Sequence, residues 1–423
     1  MNNNCKKRKK VIVIGAGGRG NAYSKIGQEI ELFDVVAIAE PIKARRDFVA
    51  KRHGVAEENL YDTWEPLIAR GKIADAAIIS TMDRDHFAPA MAAIEAGYDL
   101  LLEKPVSPIP EECKEIERAA KEKGVSVLIC HVLRYTPFFC ALKSMIKEGY
   151  VGDIVNIEHT EGVGNLHQSH SFVRGNWGNA ERSSFMLLQK SCHDIDILQW
   201  LIGKDCKRVQ SFGSLYYFKE ENAPAGAPDF CIDGCPVGDD CPYNAIKLYV
   251  ESDTDWFKNA ATKKFDYTKE DVEAAIRNTN YGRCVFKCDN NVVDHQVVNL
   301  EFEGGITCTF NMSAFNRGGR NIRIMGTKGE LIGYSGSQYV TYNNFMTGTT
   351  EQVKIDDKAR IDDISGGHGG GDTGIMYAFY DLLCGKVDPE LSDIGISVKN
   401  HMIVFAAEKS RLEGRIVSLE EFE

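Results

Sequence analysis

Short runs of consecutive apolar residues recur through the first third of the chain, at Val11–Ile14, Val35–Ala39, Ala76–Ser80, Asp99–Glu103 and Ser126–Cys130. Segments with helical spacing separate them. In Phe87–Gly97, Phe87, Ala90, Met91 and Ile94 share one face and Gly97 ends the pattern. In Pro110–Gly124, Cys113, Ile116, Ala119 and Ala120 point inward between Pro and Gly punctuation. Strands that read as unbroken apolar runs, alternating with helices, predict a parallel sheet covered on both faces.

The pattern then changes. Helical spacing at Phe138–Gly149 and Cys192–Gly203 frames a strand-like Asp153–His159. Further on, Val298, Leu300 and Phe302 alternate with polar positions, as do Ile306, Cys308, Phe310 and Met312 beyond Gly304-Gly305, which predicts an antiparallel hairpin. Asn321–Met325 and Glu330–Tyr334 predict a second. The expected architecture is an α/β domain over residues 1–135, then an α+β domain over 136–423 with a large, mostly antiparallel open sheet and an insertion at about 220–294.

Composition narrows the functional classes. With 423 residues, 43% hydrophobic and 26% charged, each domain can bury a core. A formal net charge of -11 argues against binding nucleic acid or anionic membrane surfaces. No run reaches the roughly 18 apolar residues of a membrane helix, and four apolar residues after Lys6–Lys10 are too few for a secretion signal, so the basic run reads as a solvated tail. A cytoplasmic protein with mostly reduced thiols is expected.

Gly15-Ala16-Gly17-Gly18-Arg19-Gly20 follows the first strand and opens a helix. In that context the first glycine makes a tight turn, the second lets backbone approach a pyrophosphate, and the third permits close helix–strand packing. Glu40 ends the second strand twenty residues later, where a carboxylate accepts ribose hydroxyls and repels a 2′-phosphate. A Rossmann dinucleotide-binding domain follows, with NAD favoured over NADP; Lys43, Arg45 and Arg46 are the bases that could neutralise an extra phosphate instead. Lys104, in Glu103-Lys104-Pro105, lies at the carboxyl end of its strand, where the nicotinamide should be. A partly desolvated lysine beside a cation can accept an alcohol proton. Between strand and helix, His170, Arg174 and Trp177 sit in a polar and aromatic stretch suited to polyol recognition, or to a solvated loop. His131 and His368 carry the same two readings; the glycines around His368 suggest a loop closing over the cleft.

These residues resemble the Gfo/Idh/MocA oxidoreductases (glucose–fructose oxidoreductase and inositol dehydrogenase). The resemblance rests on the glycine loop, TMDRDH at Thr81–His86, EKP at Glu103, Arg134-Tyr135 with Pro137, and HDIDILQWLIG from His193. It implies that a second domain presents a substrate cleft to the nicotinamide. Lys104 would transfer the proton, and His193 would bind the substrate hydroxyl and share acid–base work. Arg45 would lie near the adenine, and Thr81 and His86 near the nicotinamide ribose or carboxamide. Asp196, a turn beyond His193, would share its face. Arg19 and Glu103 fall among the expected cofactor contacts, and Arg134 among the substrate contacts. The family's usual Asp-x-Gly-x-His is replaced by Gln189-Lys190-Ser191-Cys192-His193. Gln189 and Lys190 are therefore candidate substrate contacts, and Lys190 either lowers the Lys104 pKa by repulsion or points to solvent. A homo-oligomer, dimer or tetramer, is implied as well.

The expected activity is NAD-dependent oxidation or reduction of a secondary alcohol or ketone of a sugar, sugar derivative or cyclitol. One alternative is an NAD-retaining glycoside-cleaving enzyme using transient oxidation and elimination. Another is a catalytically silent NAD-binding regulator. Of the 13 cysteines, Cys231, Cys235, Cys241, Cys284 and Cys288 fall in the insertion. Their spacing could supply four zinc ligands, but reduced thiols with no metal are the default expectation.

Overall fold

The computed structural model describes residues 7–356, 367–386 and 388–422. Six strands form a parallel sheet: β1 (Lys9–Ile14), β2 (Phe33–Ala39), β3 (Leu60–Tyr61), β4 (Ala76–Ile79), β5 (Asp99–Leu102) and β6 (Val127–Ile129), in the order β3-β2-β1-β4-β5-β6. The order reverses at β1, so the carboxyl ends of β1 and β4 border a crevice where open α/β sheets bind ligands. Lys9 and Lys10 belong to β1 rather than to the tail. The five long runs are legible because β1 and its neighbours are buried on both faces; Val11, Ile12, Val13, Ala77 and Ile78 are wholly inaccessible.

Nine further strands form the second sheet: β7 (Ile154–Gly162), β8 (Cys206–Ser214), β9 (His295–Phe302), β10 (Thr307–Ser313), β11 (Gly319–Gly326), β12 (Gly329–Tyr334), β13 (Tyr339–Asn344), β14 (Thr349–Lys354) and β15 (Val417–Ser418). Their order is β14-β13-β12-β11-β7-β10-β9-β8-β15. Both expected hairpins form, with Cys308 opposite Leu300 and Ile324 opposite Leu331. All pairings are antiparallel except β7 with β10. Helices cover one face, among them Cys192–Ile202 and Ile394–Glu413. On the other, Val155, Phe212, Ile332 and Tyr334 remain exposed.

The expected boundary at residue 135 is too simple. The helix Gly371–Leu383 returns to the first sheet, where Ile375, Met376, Phe379 and Tyr380 join Val11, Val13, Tyr23 and Phe33 in one core. Phe379 stacks on Phe33 with centroids 5.9 Å apart. Among the described residues, no helix is long and apolar enough to cross a membrane.

Candidate active site

The glycine loop has the geometry its spacing predicts. Gly15 has φ +86, and a Cβ there would lie 2.5 Å from the Ser80 carbonyl oxygen; one on Gly20 would lie 2.0 Å from that of Gly15. Gly18, which opens the helix Gly18–Glu29, has nothing within 4 Å of a Cβ position, so the helix N-terminus is open to a phosphate. Glu40 is buried, and its carboxylate accepts the Ala16 N–H at 2.8 Å and the Ile42 N–H at 2.9 Å. It thus fastens the glycine loop to the end of β2 and keeps lone pairs for ribose hydroxyls. Arg46 pairs with Asp62 and Lys43 with Asp47, so these two bases are already neutralised. Arg45 instead reaches to 3.6 Å from a Gly17 Cβ position, on the adenosine side of the loop.

Four groups hold the Glu103-Lys104-Pro105 turn. Glu103 accepts Arg19 Nε at 2.8 Å, the Tyr23 hydroxyl at 2.7 Å and the Lys104 N–H at 2.9 Å. Arg19 also grips the Asp372 carboxylate at 2.6 and 3.0 Å. Burial alone would raise the Glu103 pKa, but the Arg19 guanidinium outweighs it and holds the carboxyl below its usual range. Arg19 and Glu103, expected at the cofactor, are therefore committed to each other and to shaping this turn. His86 sets Nδ1 2.7 Å from the Pro105 carbonyl oxygen and Nε2 3.2 Å from that of Thr81, tying the two loops together. The Thr81 hydroxyl donates to the Asp85 carbonyl at 2.9 Å. His401 donates from Nδ1 to the Ser397 carbonyl at 2.7 Å and accepts the Val106 N–H at Nε2, 3.0 Å.

So restrained, Lys104 Nζ donates to the Gln189 backbone carbonyl at 2.6 Å, bridging the two domains. The position that usually carries an aspartate meets the lysine through its backbone, which explains how a glutamine is accommodated. Lys190 turns away, pairing with Glu161 at 3.1 Å; Glu161 also meets Arg320 at 2.6 Å. Its charge is answered there, so neither expectation for Lys190 holds: it is neither a free cation beside Lys104 nor a solvated one.

His193 opens the helix Cys192–Ile202, with its ring 5.7 Å from His131 in an edge arrangement. His131 is fully buried, and burial followed by the Arg134 and Lys104 charges holds its pKa well below normal. The structure thus gathers Lys104, His131, Gln189 and His193 at the carboxyl edge of the parallel sheet, with the glycine loop, Glu40, Arg45 and Thr81 along the same edge.

Four expected substrate contacts lie elsewhere. Arg134 forms a buried bidentate pair with Asp196, at 2.6 and 2.7 Å, and also donates to the Glu390 carbonyl. This pairing commits the Asp196 carboxylate, which also lies 3.9 Å from His131 Nε2. His170 stacks on Phe257 at 4.2 Å and contacts the Tyr249 hydroxyl at 2.9 Å, inside the insertion's aromatic core. Arg174 is buried against the cysteines of that insertion. Trp177 donates its indole N–H to Asp83 at 3.2 Å, and Ser183 and Ser184 bind the same carboxylate. His368 has a side chain outside the described residues. The sequence reading missed Tyr23, Asp372, Glu161, Arg320 and His401, whose partners lie across long sequence separations that no local motif marks, and gave no role to Asp83 within the Thr81–His86 motif. In the insertion, no three His, Cys, Asp or Glu side chains converge on a single-ion site among the described residues.

The buried histidines carry a stability prediction. Burial pushes His170 and His401 down to about 3 and His131 well below normal. Unfolded, each takes up a proton near pH 6.5; folded, each resists it. Stability should therefore fall as pH drops through 6.5 and continue falling towards the folded values, by about 1.4 kcal/mol per pH unit for each histidine. Urea midpoints that are flat between pH 7.5 and 5.5 would contradict this, and His170→Phe should give a shallower slope than the parent.

The comparisons agree with this geometry. Residues 9–131 match the model of an oxidoreductase family NAD-binding Rossmann fold, and residues 143–419 match that family's C-terminal alpha/beta domain. The oxidoreductase YteT of Bacillus subtilis is 25% identical over 335 residues, covering 74% of this chain and 73% of its own. The scyllo-inositol 2-dehydrogenase (NAD(+)) of the same organism is 27% identical over 207 residues, 48% of this chain and 56% of its own. A levoglucosan dehydrogenase solved with NADH superposes with a TM-score of 0.71 at 19% identity, covering 98% of this chain and 99% of that one. An NAD-binding glycine cradle, a lysine held at the strand end and both matched domains place the chain in the Gfo/Idh/MocA family of NAD(P)-dependent oxidoreductases.

Proposed function

We propose that this enzyme transfers hydride between NAD and a secondary alcohol or ketone of a carbohydrate or cyclitol. The supporting observation is Lys104, fixed between the end of β5 and the Gln189 carbonyl and within electrostatic reach of His131 and Cys192, beside His193. Hydride acceptance is the chemistry the dinucleotide supplies when bound. Gly15 to Gly20 present backbone to its pyrophosphate, and Glu40 supplies acceptors for the adenosine ribose while disfavouring a 2′-phosphate. Lys104 Nζ takes the hydroxyl proton as the C–H bond breaks, and returns it in the reverse direction. His193 holds the reacting hydroxyl. The His86 and His401 contacts keep the turn carrying Lys104 from relaxing, which confines Nζ to the substrate side.

A panel of cyclitols, sugars and glycosides, each offered with NAD and with NADP, tests the reading. Nicotinamide absorbance and product mass are followed together. Stoichiometric NADH with a product lighter by two hydrogens is expected. Glycoside cleavage without net NADH would select transient oxidation and elimination instead, and dinucleotide binding with no turnover would leave only a regulator.

A further inference from the structure

The insertion brings four cysteines from two stretches onto one cavity. Phe230 and Arg283 pair as an antiparallel bridge, with the Cys231 N–H on the Gly282 carbonyl and the Cys284 N–H on the Asp229 carbonyl, both at 2.9 Å. Cys235 and Cys241 complete the ring. Together with Arg174 the four thiols line about 360 Å³ of atom-free space, part of it open to solvent. Cys241 and Cys284 each lie within electrostatic reach of both Cys231 and Cys235.

Arg174 also faces this cavity. It is 2% exposed, yet its partners are uncharged: Nε donates to the Arg283 carbonyl at 2.8 Å, and Nη2 to the Tyr243 carbonyl at 2.7 Å and to Cys231 Sγ at 3.6 Å. Its Nη1 is buried with no hydrogen-bond partner. Buried guanidinium groups are ordinarily answered by an anion, because an unpaired buried charge is strongly unfavourable. Here no carboxylate meets it among the described residues, and the group facing it is a ring of thiols.

We propose that Cys231, Cys235, Cys241 and Cys284 hold a [4Fe–4S] cluster, with Arg174 as its buried counter-charge. A single zinc ion would need the sulfurs about 4 Å apart around it, and among the described residues no three ligands converge that closely. A cubane instead spreads its four cysteine sulfurs to roughly 6 Å around a central void, with thiolate ligation throughout. Cys235 and Cys241 are each followed by proline, as ligands in iron–sulfur sequences often are. Assembly from two ferrous ions, two ferric ions and four inorganic sulfides forms one Fe–S bond per cysteine, releases one proton from each thiol and needs no net oxidation or reduction. The oxidised cluster with its four thiolates is a dianion, partly neutralised by the guanidinium, and the N–H to Cys231 Sγ tunes the iron–sulfur bond. The cluster would staple an insertion whose own apolar cores are small. That insertion flanks the nucleotide domain, where Phe265 packs on Phe48 with centroids 5.3 Å apart.

The test uses the full chain, purified without oxygen and reconstituted with equal amounts of ferrous and ferric iron and with sulfide. About four iron and four acid-labile sulfide per chain are expected, with a broad sulfur-to-iron charge-transfer absorption. Cys241→Ser and Cys284→Ser, checked for folding by circular dichroism, should fall below about one iron per chain. Cys288→Ala should retain the cluster, since Cys288 does not line the cavity. If the serine variants do not fold, the metal and sulfide content of the parent still decides. One zinc without sulfide, or four freely titrating thiols with neither metal, would overturn the proposal.

Discussion

Replacing Lys104 by alanine is expected to lower turnover by about 10²–10⁴-fold while leaving dinucleotide affinity nearly unchanged. The expectation follows from how little else in the site can do the same work. His131 is fully buried and held neutral, so it is poorly placed to exchange a proton with a substrate. Lys190 is engaged by Glu161, and Arg134 by Asp196. The glycine loop and Glu40, which are proposed to bind the dinucleotide, lie on other elements and do not depend on the Lys104 side chain. The loss should therefore fall on kcat rather than on NAD binding, measured by stopped turnover and by titration of the dinucleotide. Lys104→Arg should be nearly as inactive, because a guanidinium does not give up its proton in this pH range. Full turnover by the alanine variant would remove Lys104 from the mechanism.

The parts of this site legible in the sequence are those built within one strand–loop–helix unit. Gly20 lies against Gly15, and Gly15 and Lys104 follow the ends of β1 and β5, so strand ends and spacing locate them even though their packing partners are distant. Buried polar partnerships are another matter. Arg19 meets Asp372 across 353 positions, and Val106 meets His401 across 295; no periodicity relates such residues. The same blindness produced the misplaced contacts. His170, Arg174 and Arg134 have the residue types of a polyol cleft, but a sequence does not distinguish a polar group facing substrate from one buried against a carboxylate or an aromatic cluster. Arg174 shows the cost of that ambiguity most clearly: its composition suggested sugar binding, and its surroundings are four thiols. The second sheet is the large, mostly antiparallel one expected, but not every strand of it is marked in the sequence. β14 is exposed at nearly every position, so it lacks the alternation that reveals β9 and β10.

Removing Arg134 should produce the largest loss of stability among single changes near the site. Its guanidinium and the Asp196 carboxylate are both almost wholly buried and joined at 2.6 and 2.7 Å, with Asn400 donating to the same carboxylate. Arg134→Met keeps much of the volume but leaves Asp196 without its cation, a change of about 3–5 kcal/mol for a buried pair. The pH dependence distinguishes this from a packing defect. Burial already raises the Asp196 pKa, and Arg134 is its main counterweight. Without Arg134 the folded pKa rises further above the unfolded value of about 3.9, so protonated Asp196 relieves the variant at low pH. The stability gap between parent and variant should thus be small near pH 4 and widen as pH rises, opposite in sign to the effect of His170 and His401, which both proteins share. A gap independent of pH would assign the loss to packing; a gap below about 1 kcal/mol at neutral pH would mean that the buried pair contributes little to stability.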